Sequence, residues 1–436
     1  MTEKETIVGV LMDIRLKEKI HVVILSCLLM VLSISTASAA IPGDLNNDHS
    51  ISREELSDAI IFYMKSVYVG EDVECLEKDK LRETARKHFT ITVTDISDRE
   101  VTVPTRIEKV VLGHALYIQE FAALEGENFT DKIVGWGTEL EVNDIDTYEE
   151  YLKKYPEIEE IPKIGCLYKN TFDTEAIVAL EPDVVIMPLM LSMMAQEDIE
   201  RLENAGIPVL IVDFWKNPLE NTQESILLMG QVLDREQRAE SISDFYGEQM
   251  DHVYSVLNNM DTENVTSKKV YVEFGSYGPS QYGMTFDNSN WGPMITTLEG
   301  TNVAEGVETM TPIDPEYLLA ENPDLIVIAG QYWPESEDSM VLGYSTNQEN
   351  SLALLQGFCT RPGWDTLTAV ENNDVHAIHH GISYHIYNYV GMQAFAKWMY
   401  PEEFADMNPE ANLIEFHDRF LPIDYNGVWI LDVVEA

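Results

Sequence analysis

The sequence predicts an α/β protein: two Rossmann-like lobes with central parallel sheets, joined by one long helix, behind a small amino-terminal helical module. Three observations predict it. Short β-branched runs alternate with segments of helical period, the pattern of a parallel sheet covered on both faces. The alternation occurs in two blocks that rhyme. "DTEAIVALEPDVVIM" (Asp173–Met187) and "DPEYLLAENPDLIVIAG" (Asp314–Gly330) each run from an acid through a helical stretch and Pro-Asp into a buried run. Between the blocks, a stretch beginning at Asp234 keeps Ala239, Ile242, Phe245, Tyr246, Met250, Val253 and Leu257 on one face. About 25 helical residues would span roughly 37 Å, enough to run along two lobes.

Composition sets the limits. The chain has 436 residues, 45% hydrophobic and 24% charged, so it can bury a core. It carries 28 Lys+Arg against 76 Asp+Glu, a net charge of -48. Such a surface repels nucleic acid and anionic lipid. Of the four cysteines, Cys27 lies in the leader, and Cys75, Cys166 and Cys359 follow without metal-ligand spacing. They leave room for a single Cys166–Cys359 bridge. No phosphate loop, G-x-S-x-G elbow or H-E-x-x-H motif is present, so the sequence offers no enzyme chemistry.

Residues 1–39 read as a signal peptide or an uncleaved anchor. Lys17 and Lys19 precede an apolar run from Ile20 to Ile34, and Ala37-Ser38-Ala39 closes it with small residues. An exported protein is expected, extracellular or in a periplasm-equivalent space.

Residues 40–88 form the expected helical module. In "GDLNNDHSISREEL" (Gly43–Leu56), Asp44, Asn46, Asp48, the Ser50 carbonyl and Glu55 stand at positions one, three, five, seven and twelve of a calcium loop. Ile51 would pin that loop, and Leu56, Ile60, Ile61 and Met64 give the exiting helix one apolar face. His49 occupies the position where such loops carry Gly. The other reading is an Asx-rich turn capping a helix. Pro42-Gly43 stands where an entering helix would be, so the unit resembles the half EF-hand repeat of dockerin modules.

The main body follows in order. The buried strands of the first lobe (89–233) are "KVVLG" (Lys109–Gly113), "KIVGW" (Lys132–Trp136), "DVVIM" (Asp183–Met187) and "PVLIVDF" (Pro208–Phe214). The linking helix is expected over 234–260, with Asp234 and Gln237 as a capping-box-like start. The second lobe (261–436) has strands in "KKVYVEFG", "DLIVIAG" and "DVHAIHHG". In open α/β sheets a ligand lies beyond the carboxyl ends of the strands.

"TDISDREVTVPTRIEKVVLG" (Thr94–Gly113), "EAIVALEPDVVI", "AGIPVLIVDF" (Ala205–Phe214), "YLLAENPDLIVIAG" and "PGWDTLTAVENNDVHAI" (Pro362–Ile378) resemble, in order, the periplasmic binding proteins of iron-siderophore, haem and vitamin B12 importers. The resemblance covers about Phe89 to Met407. It implies the helical-backbone binding-protein fold and the capture subunit of an ABC importer, a monomer that hands a metal chelate to a permease with its ATPase subunit and hydrolyses nothing. A calcium module ahead of such a domain looks like an archaeal, methanogen-type arrangement. The family's docking habit points to an acid on each lobe, here Glu120 and Asp287.

Residues just after the strands are the expected cleft lining: His114, Tyr117, Trp136 and Trp215 in the first lobe, with Glu139, Met190 and Met193 beside them. In the second lobe they are Tyr277, Tyr282, Trp291, Tyr332, Trp333, His379, His380, Tyr384 and His385, with Gln331. Aromatic faces suit a planar or macrocyclic ligand, and His and Tyr can ligate iron. His376 lies inside a strand and is read as structural. Arginine is scarce in these loops, which favours a corrinoid, haem or neutral siderophore over a strongly anionic chelate. A calcium-dependent adhesion or scaffold protein is the rival reading, against which the cleft aromatics argue.

The loop spacing makes a test. Calorimetric titration of the full chain with calcium should reveal one site, abolished by Asp44→Ala with Asp48→Ala. An unchanged titration would leave only a turn.

Overall fold

Four short strands of the first lobe form a parallel sheet because each is apolar on both faces. The computed structural model describes residues 90–260, 267–308 and 311–432. The leader and the predicted calcium ligands Asp44, Asn46, Asp48, Ser50 and Glu55 lie outside them. Strands β1 (Thr90–Thr94) and β2 (Glu100–Pro104) pair with each other. Strands β3 (Val110–Leu112), β4 (Ile133–Trp136), β5 (Val184–Pro188) and β6 (Val209–Val212) run in the order β4-β3-β5-β6. Around them lie helices α1 (Ile118–Glu125), α2 (Glu139–Asn143), α3 (Ile145–Lys154), α4 (Thr174–Leu180), α5 (Leu189–Ser192) and α6 (Gln196–Asn204). Val111, Val185 and Ile211 meet Ile177, Ile199 and Leu202 in one buried cluster.

Helices α7 (Pro218–Leu233) and α8 (Glu236–Asn259) follow. The expected capping box is not formed. Asp234 instead ends α7 in a left-handed conformation, φ 59°, and the residue at the start of α8 is Arg235, with no side-chain cap. The cause is the tight return of the chain. A Cβ on Gly230 would lie 2.2 Å from the Ala239 Cβ, so only glycine lets α8 pack this closely on α7.

The second sheet comprises β7 (Lys269–Phe274), β8 (Thr301–Asn302), β9 (Leu325–Gly330), β10 (Val375–His379) and β11 (Ile430–Asp432), in the order β11-β10-β9-β7-β8. All neighbours are parallel except the antiparallel edge strand β11. Its helices are α9 (Trp291–Thr297), α10 (Pro315–Glu321), α11 (Gln348–Phe358), α12 (Thr368–Glu371), α13 (Tyr389–Met399) and α14 (Pro409–Phe420). Ile326, Ile328 and Ala377 pack with Leu318, Leu355 and Trp364.

The sequence rhyme is a physical repeat. Asp173 accepts from the N–H of Ala176, and Asp314 from those of Glu316 and Tyr317, so each caps its helix. Both helices end in the left-handed region, at Glu181 and Asn322. The aspartate of each Pro-Asp then binds the neighbouring strand. Asp183 Oδ2 accepts from the N–H of Lys109 at 2.8 Å, and Asp324 Oδ2 from that of Lys269 at 2.8 Å. The lysines reciprocate: Lys109 Nζ donates to the Leu180 carbonyl and Lys269 Nζ to that of Glu321, filling helix-end acceptors.

Helix α14 departs from the simple two-block division. It belongs to the segment expected to build the second lobe, yet it packs on α1 of the first. Arg238 of α8 fixes this return, donating to the carbonyls of Ala123 and Phe420. His376 is structural, as its strand position suggests: Nδ1 lies 2.7 Å from Asp432 Oδ1 and the ring stacks on Trp398 at 4.5 Å. Cys166 and Cys359 are both free, so the bridge that the sequence left room for is not formed.

Arg361 organises one end of the second lobe. Its guanidinium holds Glu273 through two bonds of 2.6 and 2.8 Å, with both side chains 1% exposed. It also donates to the carbonyls of Gly278, Pro279 and Gln281. Arg361→Met should cost about 3–5 kcal/mol in urea unfolding, because it strands a buried carboxylate. A loss under about 1 kcal/mol, the worth of an exposed pair, would contradict this account.

Candidate ligand cleft between the lobes

Parallel strands deliver their carboxyl ends to one side of each sheet, and several polar groups bridge the lobes there. Glu120 of α1 accepts from the Ile386 N–H at 2.9 Å and lies 3.0 Å from His385 Nδ1. The Gln331 side chain donates to the Asn143 carbonyl. Asp146 Oδ2 accepts from the Tyr344 N–H at 2.9 Å. Asn388 bonds Tyr246 of α8 and Thr222 of α7, both at 2.8 Å, anchoring the loop that carries His385 to the linking helices.

Aromatic rings run from one lobe to the other. His114, following β3, lies 5.7 Å from Trp215, which follows β6. Trp215 lies 6.3 Å from Tyr384 of the second lobe, and Tyr384 5.3 Å from His380. The path continues to Phe274 at 4.6 Å and from there to Trp333 at 4.8 Å. Tyr168 joins at the first-lobe end, 6.0 Å from Trp215.

Within this region several buried polar atoms have no partner: His114 Nδ1, Glu120 Oε2, Glu139 Oε1, His379 Nε2 and His385 Nε2. Glu139 is positioned by its other oxygen, which accepts from the Ala115 N–H. Such atoms are costly to bury alone, so a concentration of them marks a place built for a further group. Burial pushes the His114 pKa down, with Glu139 opposing. Burial, with His385, pushes His380 down to about 3. Both imidazoles are therefore neutral near pH 7, the state in which a ring nitrogen keeps a lone pair.

The expected lining residues divide into three groups. His114, Trp215, Trp333, His380, Tyr384 and His385 lie on the interlobe path, and Tyr332 beside them is half-buried. Tyr277 is exposed, and His379 is buried next to Asp144 and Asp146. Four others are used by the fold. Tyr117 is sealed against Phe214, whose N–H meets its hydroxyl, and Trp291 is 0% exposed against Phe395. Trp136 is buried beneath the Lys163 ammonium. Tyr282 stacks on Arg361 and accepts from Trp364 Nε1, facing the lobe core.

Glu120 also departs from expectation. It is 0% exposed, so it cannot be a docking acid; its carboxylate is turned inward to His385. Tyr168, Asp144 and Asp146 were not among the expected residues. Tyr168 lies in a loop closed by Asn170 in a left-handed conformation rather than directly after a strand. The Asp-Ile-Asp spacing between α2 and α3 was the available signal for the other two.

Two α/β lobes with a polar and aromatic cleft between them define a ligand-capturing protein. The chain belongs to the periplasmic binding protein family: the family model described as "Periplasmic binding protein" matches residues 122–380. The crystal structure of the TroA-like periplasmic binding protein FepB from Veillonella parvula is 35% identical, with a TM-score of 0.75, over 79% of this chain and 100% of that one. An uncharacterized ABC transporter substrate-binding lipoprotein of Bacillus subtilis, YvrC, is 23% identical over 58% of this chain and 73% of its own length. Haemophilus influenzae MolA, bound to molybdate, shares the fold: 18% identity, TM-score 0.58, 77% of this chain and 99% of that one. The protein is thus an ABC-transporter substrate-binding protein, which works with a permease and ATPase and is not an enzyme. No helix among the described residues is long and apolar enough to cross a membrane.

Glu120→Ala should destabilise the protein by roughly 1–3 kcal/mol for each group orphaned, His385 Nδ1 and the Ile386 N–H. Thermal unfolding measures this. An unchanged midpoint would deny the interlobe bond its structural role.

Proposed function

We propose that the protein captures a planar or macrocyclic metal chelate, an iron complex such as haem or a neutral siderophore, or a corrinoid, and delivers it to its permease. The observation that carries this reading is the ring path His114–Trp215–Tyr384–His380–Phe274–Trp333 across both lobes, flanked by unpartnered imidazole nitrogens. Aromatic faces supply broad apolar contact, and neutral imidazole is a fit ligand for iron or cobalt. The buried arginine near this end of the second lobe, Arg361, is already committed to Glu273, so it offers no clamp for an anionic chelate. The Asp44–Glu55 loop is read as a calcium-binding, dockerin-like module ahead of the capture domain, on the strength of its oxygen spacing.

Full-length protein titrated separately with haemin, a neutral ferric hydroxamate and cobalamin should bind one of them, read by its absorption bands and by quenching of tryptophan emission. Trp215→Ala and Tyr384→Ala should each weaken that ligand about tenfold, near 1.4 kcal/mol. Failure of all three to bind, or unchanged parental affinity in both variants, would defeat the reading.

A further inference from the structure

Asp144, Asp146 and His379 each turn one ligand atom toward a common point, and these atoms all lie within 4.8 Å of one another. We propose that they form a site for a single first-row divalent transition ion, such as Mn2+, at the edge of the aromatic path, which clamps the two lobes together. Asp144 lies between α2 and α3 of the first lobe and Asp146 in the first turn of α3, and the histidine comes from the end of β10 in the second.

The three side chains are 1–2% exposed. Asp144 Oδ1 and His379 Nε2 have no hydrogen-bond partner. Among the described residues, no lysine or arginine pairs with either aspartate. Two carboxylates buried in this way must hold a proton between them or hold a cation. A donor set of two carboxylate oxygens and one imidazole suits a transition ion better than calcium or magnesium.

The second-lobe backbone comes close to these donor atoms at Gly343. Gly343 has φ +107°, and a Cβ there would stand 2.4 Å from Asp146 Oδ2 and 3.1 Å from His379 Nε2. A glycine is needed for the second-lobe chain to approach this closely. Donors about 2.0–2.2 Å from an ion lie roughly 3–4 Å apart, so the three atoms need draw in by no more than about 1–2 Å. His379 Nδ1 now accepts a 3.2 Å bond from the Gly381 N–H, which places the ring proton on Nε2. Ion entry moves that proton to Nδ1 at the expense of this long bond and expels any proton shared by the aspartates to solvent. The imidazole stays neutral, and two carboxylates balance the ion's charge.

The test uses full-length protein carrying Asp44→Ala and Asp48→Ala, so that the amino-terminal loop contributes nothing. After treatment with EDTA, Mn2+ is titrated with the paramagnetic resonance of free ion as readout, and Co2+ is titrated for its visible bands. One ion per chain is expected. Asp144→Asn with Asp146→Asn, and separately His379→Gln, should each weaken binding at least about tenfold. His379→Gln should also shift the cobalt bands by removing the nitrogen donor. If the asparagine variant does not fold, His379→Gln alone tests the same site. Wild-type affinity in the folded variants would place the ion elsewhere and overturn the proposal. No binding of either ion by the parent at about 1 mM would overturn it too, and leave a shared proton between the aspartates. The experiment contains no chelate, so its result is independent of the ligand in the aromatic cleft.

Discussion

A carboxylate buried between two lobes has to find donors there, and that need ties the protein together at Glu120. One oxygen of Glu120 meets both His385 Nδ1 and the Ile386 N–H. Three residues further on, Asn388 bonds the two linking helices through Thr222 and Tyr246. The short segment from His385 to Asn388 is thus held from both sides. Tyr384, immediately before it, is the second-lobe ring that meets Trp215. The continuity of the aromatic wall therefore depends on an inward-facing acid on one side and on Asn388 on the other. Had that acid faced solvent, the same loop would keep only its anchor at Asn388 and lose its direct tie to the first lobe.

The fold was legible where one interaction type dominates. Buried strands such as Val184–Pro188 announce themselves because both faces are covered and polar residues are excluded. The repeated acid, helix and Pro-Asp pattern was legible because each residue does a local job: a cap, a left-handed exit, then a carboxylate for the next strand's N–H. The start of α8 was not. Asp234 can cap a helix or end one, and the choice was made by the approach of Gly230 to Ala239, which local sequence does not reveal.

The cleft was legible as a region and less so as a list. Position after a strand brings a side chain near the mouth, but rotamer and packing decide whether it faces the ligand or the lobe. Trp215 and Tyr384 face each other across the lobes, while Trp291 lies against Phe395 and Tyr282 over Arg361. The acidic members were harder still. In a chain with 76 Asp+Glu, Glu120, Asp144 and Asp146 look like surface charges until their burial is seen.

The return of α14 to α1 changes the mechanics of the molecule. Two bodies joined by one rod can twist and bend about it with little restraint. Here the polypeptide leaves the first lobe along α7 and α8, builds the second sheet, and comes back to the first through α14. Arg238 fastens the outgoing rod to the returning end. The connectivity is that of a closed linkage rather than an open hinge. A closed linkage admits small rocking displacements and resists large torsion. The two ends that close it, at Ala123 and Phe420, are held by the one guanidinium of Arg238.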